Sequence, residues 1–527
     1  MFMRNMLTLL LFVSFTCTAF AQTFVRSQLP TQLKTPWEIQ YGPDGYLWLT
    51  EAKGTVSRVD PFSGEKKVVY VAPDFYDDSL LLEQNPLCFM PKIGSGTLGL
   101  DLHPDFLNPD NAFIYFVYSY NHGTDSVPQT LWKVARIKWD AASEQVVDTA
   151  DIVTAISNGY DHWGGRLMAI MRNDGAPMLY LTIGDHGISE INDPDCYENQ
   201  SENPNNFVQN PAYDNGKIHR YNMDGSIPSD NPIPGNSFYT RGHRNPQGLM
   251  YIPQHDLLFD IEHGDRTDDE VNLLEKGMNY GWKWVRGYHT DNNYPGESAF
   301  IANYTPHPDI AGDRLVPAFY SFCAEPQPAS DEYLEWCTPA PSDGIYYNSD
   351  AIPEWKNSFL ITSLKNGTNT DNQIHVLRLT EDGRGLMPST EESPNPQTFF
   401  AEDQATNGRL RDIAMSPDGK QLFMINNGPE GVTEKITVYT TVTTATDDVR
   451  NAGTAIRFFP NPASDVIRVE SEVPITGIEV YSLAGELVSS QDKNLSSIQV
   501  SHLAEGMYIA KMRTTQGINM TSKFIRQ

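Results

Sequence analysis

Positive charge is scarce in this chain. Its 38 lysines and arginines stand against 67 aspartates and glutamates, a formal net charge of −29 over 527 residues. So acidic a surface excludes nucleic acid and anionic membrane as partners, because both reward basic patches. Long apolar runs are missing too. Beyond residue 21 no stretch is long enough to span a bilayer, so no transmembrane segment is expected. Nor does a helical period persist anywhere, which excludes a helical bundle or solenoid. Cysteine is rare, five in all, too few for a small disulfide-held scaffold.

The exceptions carry information. Residues 1–21 read as a secretory signal, with Arg4 as its charged start, an apolar stretch from Leu7, and Ala19-Phe20-Ala21 as a small-x-small cleavage site. Cys17 is not read as a lipid anchor, since Ser14-Phe15-Thr16 lacks the residues of a lipoprotein box. The mature chain keeps Cys88, Cys196, Cys323 and Cys337. An even number in an exported protein points to disulfides. Cys323 with Cys337 is the favoured pair, because it closes a short proline-rich loop. Cys88 with Cys196 follows only as the remainder.

At 527 residues the chain is too long for one ordinary core, and it contains a repeat. A short apolar strand, a turn and a second strand recur at 36–50, 98–119, 166–184, 248–263, 344–364 and 410–426. Turn residues such as Pro43-Asp44-Gly45, Asn173-Asp174-Gly175 and Pro417-Asp418-Gly419 mark hairpins. Further strands follow most copies, as at 54–59, 131–139, 216–221, 374–379 and 435–439, while the fourth copy offers 269–274. Six units of about four strands each predict an all-β, six-bladed β-propeller over residues 22–440. A sandwich array fits less well, since no unit looks self-contained.

The composition changes at a polar linker over 441–456. Residues 457–527 then read as a small all-β domain, sandwich-like, with alternating strands. Its Phe459-Pro460-Asn461-Pro462 opening and Leu503-Ala504-Glu505-Gly506-Met507-Tyr508 segment resemble the C-terminal sorting domain of the type IX secretion system. That resemblance implies the type IX machinery as a partner and export through the periplasm to the surface or beyond, with cleavage of the tail left open.

The chemistry concentrates between residues 242 and 282. Gly242-His243-Arg244-Asn245-Pro246-Gln247-Gly248 precedes an apolar run, Asp268-Asp269-Glu270 follows it in a glycine-containing turn, and Asn279-Tyr280-Gly281-Trp282 comes next. Clustered hard oxygen donors suit calcium, although in an acidic protein the same residues also fit a solvated turn. Arg244 suits an anionic ligand or a developing oxyanion. Elsewhere, His162 lies in Asp161-His162-Trp163-Gly164-Gly165-Arg166, and Asp185 ends a strand on the presumed loop face. A histidine beside a carboxylate is a general base with an orienting partner. Lys365, Arg409 and Arg411 stand at other blade junctions, and four cations in one register suggest a ligand with several negative charges.

Together these residues resemble the soluble quinoprotein glucose dehydrogenases and the related aldose sugar and sorbosone dehydrogenases. The likeness spans roughly residues 29–439 and includes Leu98-Gly99-Leu100-Asp101-Leu102-His103-Pro104, Ile183-Gly184-Asp185 and Trp336-Cys337-Thr338-Pro339-Ala340-Pro341-Ser342. It implies a secreted enzyme that oxidises an aldose or related sugar at C1 by hydride transfer to pyrroloquinoline quinone, with calcium, and passes electrons to an external acceptor. By that resemblance His162 is the base, Asp185 orients it, and Arg244 and Asn245 sit at the reactive carbonyl. Lys365, Arg409 and Arg411 hold the cofactor carboxylates, and Trp336 and Thr338 lie beside it. The backbone oxygens of Gly264 and Asp265 bind the cofactor calcium, and Glu270 and Tyr280 a second, structural one.

The chain departs from the glucose enzymes in three places. It has Gly94 where they have a glutamine, Gly264-Asp265 where they have Gly-Pro, and an asparagine-rich loop at 193–211 with no counterpart. Two other functions remain open from the residues. A calcium-dependent lactonase on such a propeller would want a central metal ringed by Asn, Asp and Glu, and would not need Lys365, Arg409 and Arg411 together. A non-catalytic carbohydrate-binding propeller would leave His162 with Asp185 unexplained.

Overall fold

The computed structural model describes residues 23–77, 96–159 apart from 125 and 127, 162–186, 207–326, 336–365, 374–427, 433–442, and 456–527 with short breaks. The signal segment, most of the linker, Cys88, Cys196, Gly94, Asp161 and most of the 193–211 loop lie outside the described residues.

Six four-stranded antiparallel sheets make up residues 23–442 among the described residues. Their first strands are Glu38–Tyr41, Thr97–Leu102, Leu167–Met171, Asn245–Ile252, Pro341–Tyr347 and Leu410–Met415. Each of these contacts the first strand of the next sheet, and the last contacts the first, so the six form a closed ring. The recurrent hairpins of the sequence are the first two strands of each sheet, as with Leu167–Met171 on Pro177–Ile183. Further strands complete each sheet, among them the long pair Thr130–Asp140 and Gln145–Ile156.

The sixth sheet departs from sequence order. Its outer strand is Thr23–Gln28 from the start of the described chain, paired antiparallel with Ile436–Val442. The ring is thus fastened by backbone hydrogen bonds between its two ends. Hydrophobic clusters fill each junction between consecutive sheets. Trp48, Leu100 and Phe116 pack between the first two sheets, and Phe259, Ile261 and Phe359 between the fourth and fifth. Both faces of these strands are therefore covered, which is why their sequences read as apolar runs.

The axis of the ring is polar. Arg166, just before the third sheet, reaches Glu38 at 2.5 Å, Asp412 at 3.2 Å and Asp343 at 3.5 Å, and its Nε donates to the Gln247 carbonyl at 2.9 Å. Burial works against its charge, but Asp343, Glu38 and Asp412 outweigh burial and raise its pKa. Cys323 and Cys337 form the expected disulfide. Residues 456–526 hold a three-stranded and a four-stranded sheet around a core that includes Ile467, Val480, Ile498 and Phe524.

Candidate active site

One end of the ring opens into a cavity of about 620 Å³. Its lining comes from two recurring positions: the residue that enters a first strand, and the residues that leave a second. Arg244 and Arg409 enter; Gly264, Asp265, Lys365 and Asn427 leave. Together with neighbouring loop and strand residues, these positions bring together His162, Arg244, Asn245, Gly264, Asp265, Trp336, Thr338, Lys365, Arg409 and Arg411, all of which line the cavity. Asp185 stands behind His162, and Glu270 and Tyr280 are not among the lining residues.

His162 and Asp185 form a buried pair, Nδ1 to Oδ1 at 2.7 Å. Asp185 is fully enclosed, and its own N–H donates to the Arg244 carbonyl at 2.7 Å. His162 adopts φ +47°, a conformation costly for a residue with a side chain. Gly184 makes the pairing geometrically open, since a Cβ there would lie 1.9 Å from the His162 carbonyl oxygen. A carboxylate on Nδ1 leaves Nε2 as the nitrogen suited to take a proton from a bound hydroxyl.

Burial weighs on two of the cations, Arg411 and Lys365. Burial, together with Arg409 and Arg166 nearby, lowers the Arg411 pKa, and its Nε has no hydrogen-bond partner although buried. Its Nη1 donates to Gln247 Oε1 at 2.8 Å. Burial lowers the Lys365 pKa, with Asp269 pulling the other way, and its Nζ donates to the Trp336 carbonyl. Arg244 is held through its main chain, its N–H donating to Glu262 Oε2 at 2.8 Å. Glu262 and Asp260 also flank His243 at 3.2 and 3.1 Å. Burial opposes a charge on His243, yet those two carboxylates push it up to about 10. An anion with several carboxylates would add negative charge beside Lys365, Arg409 and Arg411.

The acidic turn is not solvated: Asp268, Asp269 and Glu270 are all buried. Asp269 accepts from the Gly264 N–H and the Ala340 N–H, both at 2.8 Å, and so ties the turn to the entrance of the fifth sheet. Burial pushes its carboxyl up to about 7, against those two amides. Gly264 has no room for a side chain, as a Cβ would meet the Thr267 carbonyl at 1.9 Å. Glu270 accepts from the Gly287 N–H and from Asn272, while the Tyr280 hydroxyl donates to the Leu273 carbonyl. Near Asp268, the Asp291 oxygens and Glu297 Oε2 are buried with no hydrogen-bond partner. Orphaned carboxylate oxygens of this kind fit a hard cation such as calcium.

Sequence reasoning missed several lining residues. Trp37 occupies the strand-entry position of the first sheet, and Asn427 the strand-exit position of the sixth. Counting the register around the ring would have found both. Gln247 and His263 were in view, but only their place in the cavity marks them.

Residues 33–434 match the model of the glucose/sorbosone dehydrogenase family. The chain belongs to this family. Quinoprotein glucose dehydrogenase B of Acinetobacter calcoaceticus is 28% identical over 484 residues, covering 83% of this chain and 91% of that protein. An aldose sugar dehydrogenase of Escherichia coli is 26% identical over 422 residues, covering 77% and 91%. Among solved structures, the PQQ-bound aldose sugar dehydrogenase of Streptomyces coelicolor has a TM-score of 0.53 and 22% identity, covering 80% of this chain and all of that one. The apo E. coli enzyme has a TM-score of 0.54, with 22% identity and the same coverage. At that identity the likeness is one of fold, a β-propeller. Residues 457–527 match the secretion-system C-terminal sorting domain, which marks the chain for type IX export to the cell surface or outside. Among the described residues no helix is long and apolar enough to cross a membrane.

Proposed function

We propose that this glucose/sorbosone dehydrogenase family member is a secreted quinoprotein that oxidises an aldose or related sugar at C1. Its catalytic domain is read as six blades over residues 22–440, joined through the 441–456 linker to a sandwich-like sorting domain. The observation that carries the reading is the placement of a buried His162–Asp185 pair and four cations, Arg244, Lys365, Arg409 and Arg411, around one cavity.

Pyrroloquinoline quinone with calcium would supply the hydride acceptor. Lys365, Arg409 and Arg411 would hold its carboxylates, Trp336 and Thr338 would flank it, and the backbone oxygens of Gly264 and Asp265 would face its calcium. His162 Nε2 takes the proton of the C1 hydroxyl as the C1 hydrogen leaves with its electron pair, and the sugar becomes a lactone. Asp185 holds the ring in one tautomer and stabilises the imidazolium that forms. Arg244 and Asn245 would stabilise the negative charge that such an acceptor takes up. Burial keeps water from competing for these donors.

The lactonase alternative calls for a metal at the ring axis. There the carboxylates of Glu38, Asp343 and Asp412 instead converge on the Arg166 guanidinium. The test is to add calcium and quinone to apo-protein, follow quinone absorbance, and then add aldoses. Reduction of bound quinone by an aldose is expected, and prior chelation should abolish it. Lys365→Ala should weaken quinone reconstitution severely and leave the fold intact. Unchanged quinone affinity in that variant would refute the cofactor assignment.

A further inference from the structure

Trp282 has no part in the chemistry described so far, yet it is bonded to Asp185 and lies beside Arg244. Its indole Nε1 donates to Asp185 Oδ2 at 2.7 Å, while Asp185 Oδ1 faces His162 Nδ1 at the same distance. The two carboxylate oxygens are thus divided, one to the histidine and one to the tryptophan. The indole is buried, and its ring lies 5.4 Å from the Arg244 guanidinium and 4.9 Å from that of Arg286. Its backbone is held as firmly: its N–H donates to the Gly242 carbonyl at 3.0 Å, and its carbonyl accepts from Gln209 at 2.6 Å.

We propose that Trp282 is a positioning residue for the base, its indole N–H fixing the Asp185 carboxylate so that the other oxygen keeps His162 in the Nδ1–H tautomer. This rests on the reading of His162 as the base.

The physical case has three parts. A buried carboxylate oxygen without a donor is costly, and hydrogen bonds to a charged group are the stronger ones. A rigid two-ring side chain sets the carboxylate plane, where a flexible donor would let it rotate. The ring faces also attract the neighbouring guanidinium ions, so Arg244 and the base share one support. Other titratable groups face the pair as well: His186, just after the third sheet's second strand, and His263 from the fourth, while the Arg244 carbonyl accepts from the Asp185 N–H. They surround the dyad, whereas Trp282 is bonded to its carboxylate.

The test uses the full chain. Trp282→Phe keeps an aromatic ring and removes the N–H. Turnover should fall about 10- to 100-fold, the range for a hydrogen bond to a charged group, with KM for the sugar changed less than about twofold. Quinone titration should be unaltered. In the His162→Ala background the same substitution should cost nothing more, since the base it positions is gone. Equal losses in both backgrounds would show a merely structural role and overturn the proposal. Should Trp282→Phe fail to fold, a benzothienyl-alanine at position 282, with sulfur in place of N–H, keeps the shape and gives the same readouts.

A second measurement needs neither cofactor nor sugar. Imidazole nitrogen NMR of the apo-protein, with His162 assigned from the His162→Ala spectrum, should show a single Nδ1–H tautomer, and a tautomer mixture in Trp282→Phe. An unchanged His162 signal in Trp282→Phe would overturn the positioning role whatever the substrate. A changed signal in a protein that oxidises no aldose would uphold it and defeat the sugar-oxidation reading alone.

Discussion

At the scale of the residue, the site turns on a histidine held in a strained backbone conformation against a buried carboxylate. Loss of a general base typically costs 10²–10⁴-fold in rate. His162→Ala should therefore lower single-turnover reduction of bound quinone by roughly that range, with quinone binding intact. Asp185→Asn should act in the same direction more mildly, since the imidazole remains and only its orienting charge is lost. Wild-type reduction rates in His162→Ala with quinone fully bound would sink the mechanism. The types of these residues were legible from the sequence, because His162 and Asp185 stand beside the motifs Trp163-Gly164-Gly165 and Ile183-Gly184. Trp282 was visible only as part of a motif. Its bond to Asp185 crosses 97 positions of sequence, and no local pattern encodes such a contact.

At the scale of the element, first strands do two tasks: they pack the ring and they bond across it. Asp101, in the strand Thr97–Leu102, accepts from the Leu102 N–H at 2.7 Å and from the Ala169 N–H of the next sheet at 2.8 Å. Burial pushes its carboxyl up to about 7, against those amides. An acid whose folded pKa lies above its unfolded value, about 3.9, binds extra protons in the folded state. Its contribution to stability is therefore full below about pH 3.9 and is lost as pH rises through about 7. Urea titrations should show this as a decline of up to roughly 1.4 kcal/mol per pH unit within that window. Asp101→Asn should flatten the decline. An identical pH dependence in the variant would show that Asp101 does not titrate there. The acidic turn teaches a related lesson. Its three carboxylates were plain in the sequence, but their burial was not, because it depends on Ala340 and Gly287 being brought over from distant segments.

At the scale of the whole molecule, closure depends on the strand Thr23–Gln28. Without it, Ile436–Val442 would be left as an open sheet edge, a template for association with other chains. Deleting the closing strand, residues 23–28, should lower the melting temperature and promote aggregation, both measurable by calorimetry and light scattering. An unchanged melting temperature would show that the closing strand carries no stability. Closure also sets the site, since the lining of the cavity comes from the junctions of the ring and holds its geometry only while the ring is shut.

The sequence by itself determined the strand content, the six recurrent hairpins and the favoured disulfide between Cys323 and Cys337; the export tail and ten of the cavity residues came from its resemblance to known families. The first three follow from local rules, namely apolar runs, turn residues, spacing and recurring register, all of which act between neighbours along the chain. The tertiary structure alone decided which end strand closes the sixth sheet, that Arg166 occupies the axis among Glu38, Asp343 and Asp412, and that Trp282 backs Asp185. Each of these is a contact between segments far apart in sequence. Its energy comes from burial and from pairing of polar groups, and neither exists until the sheets have come together around the axis.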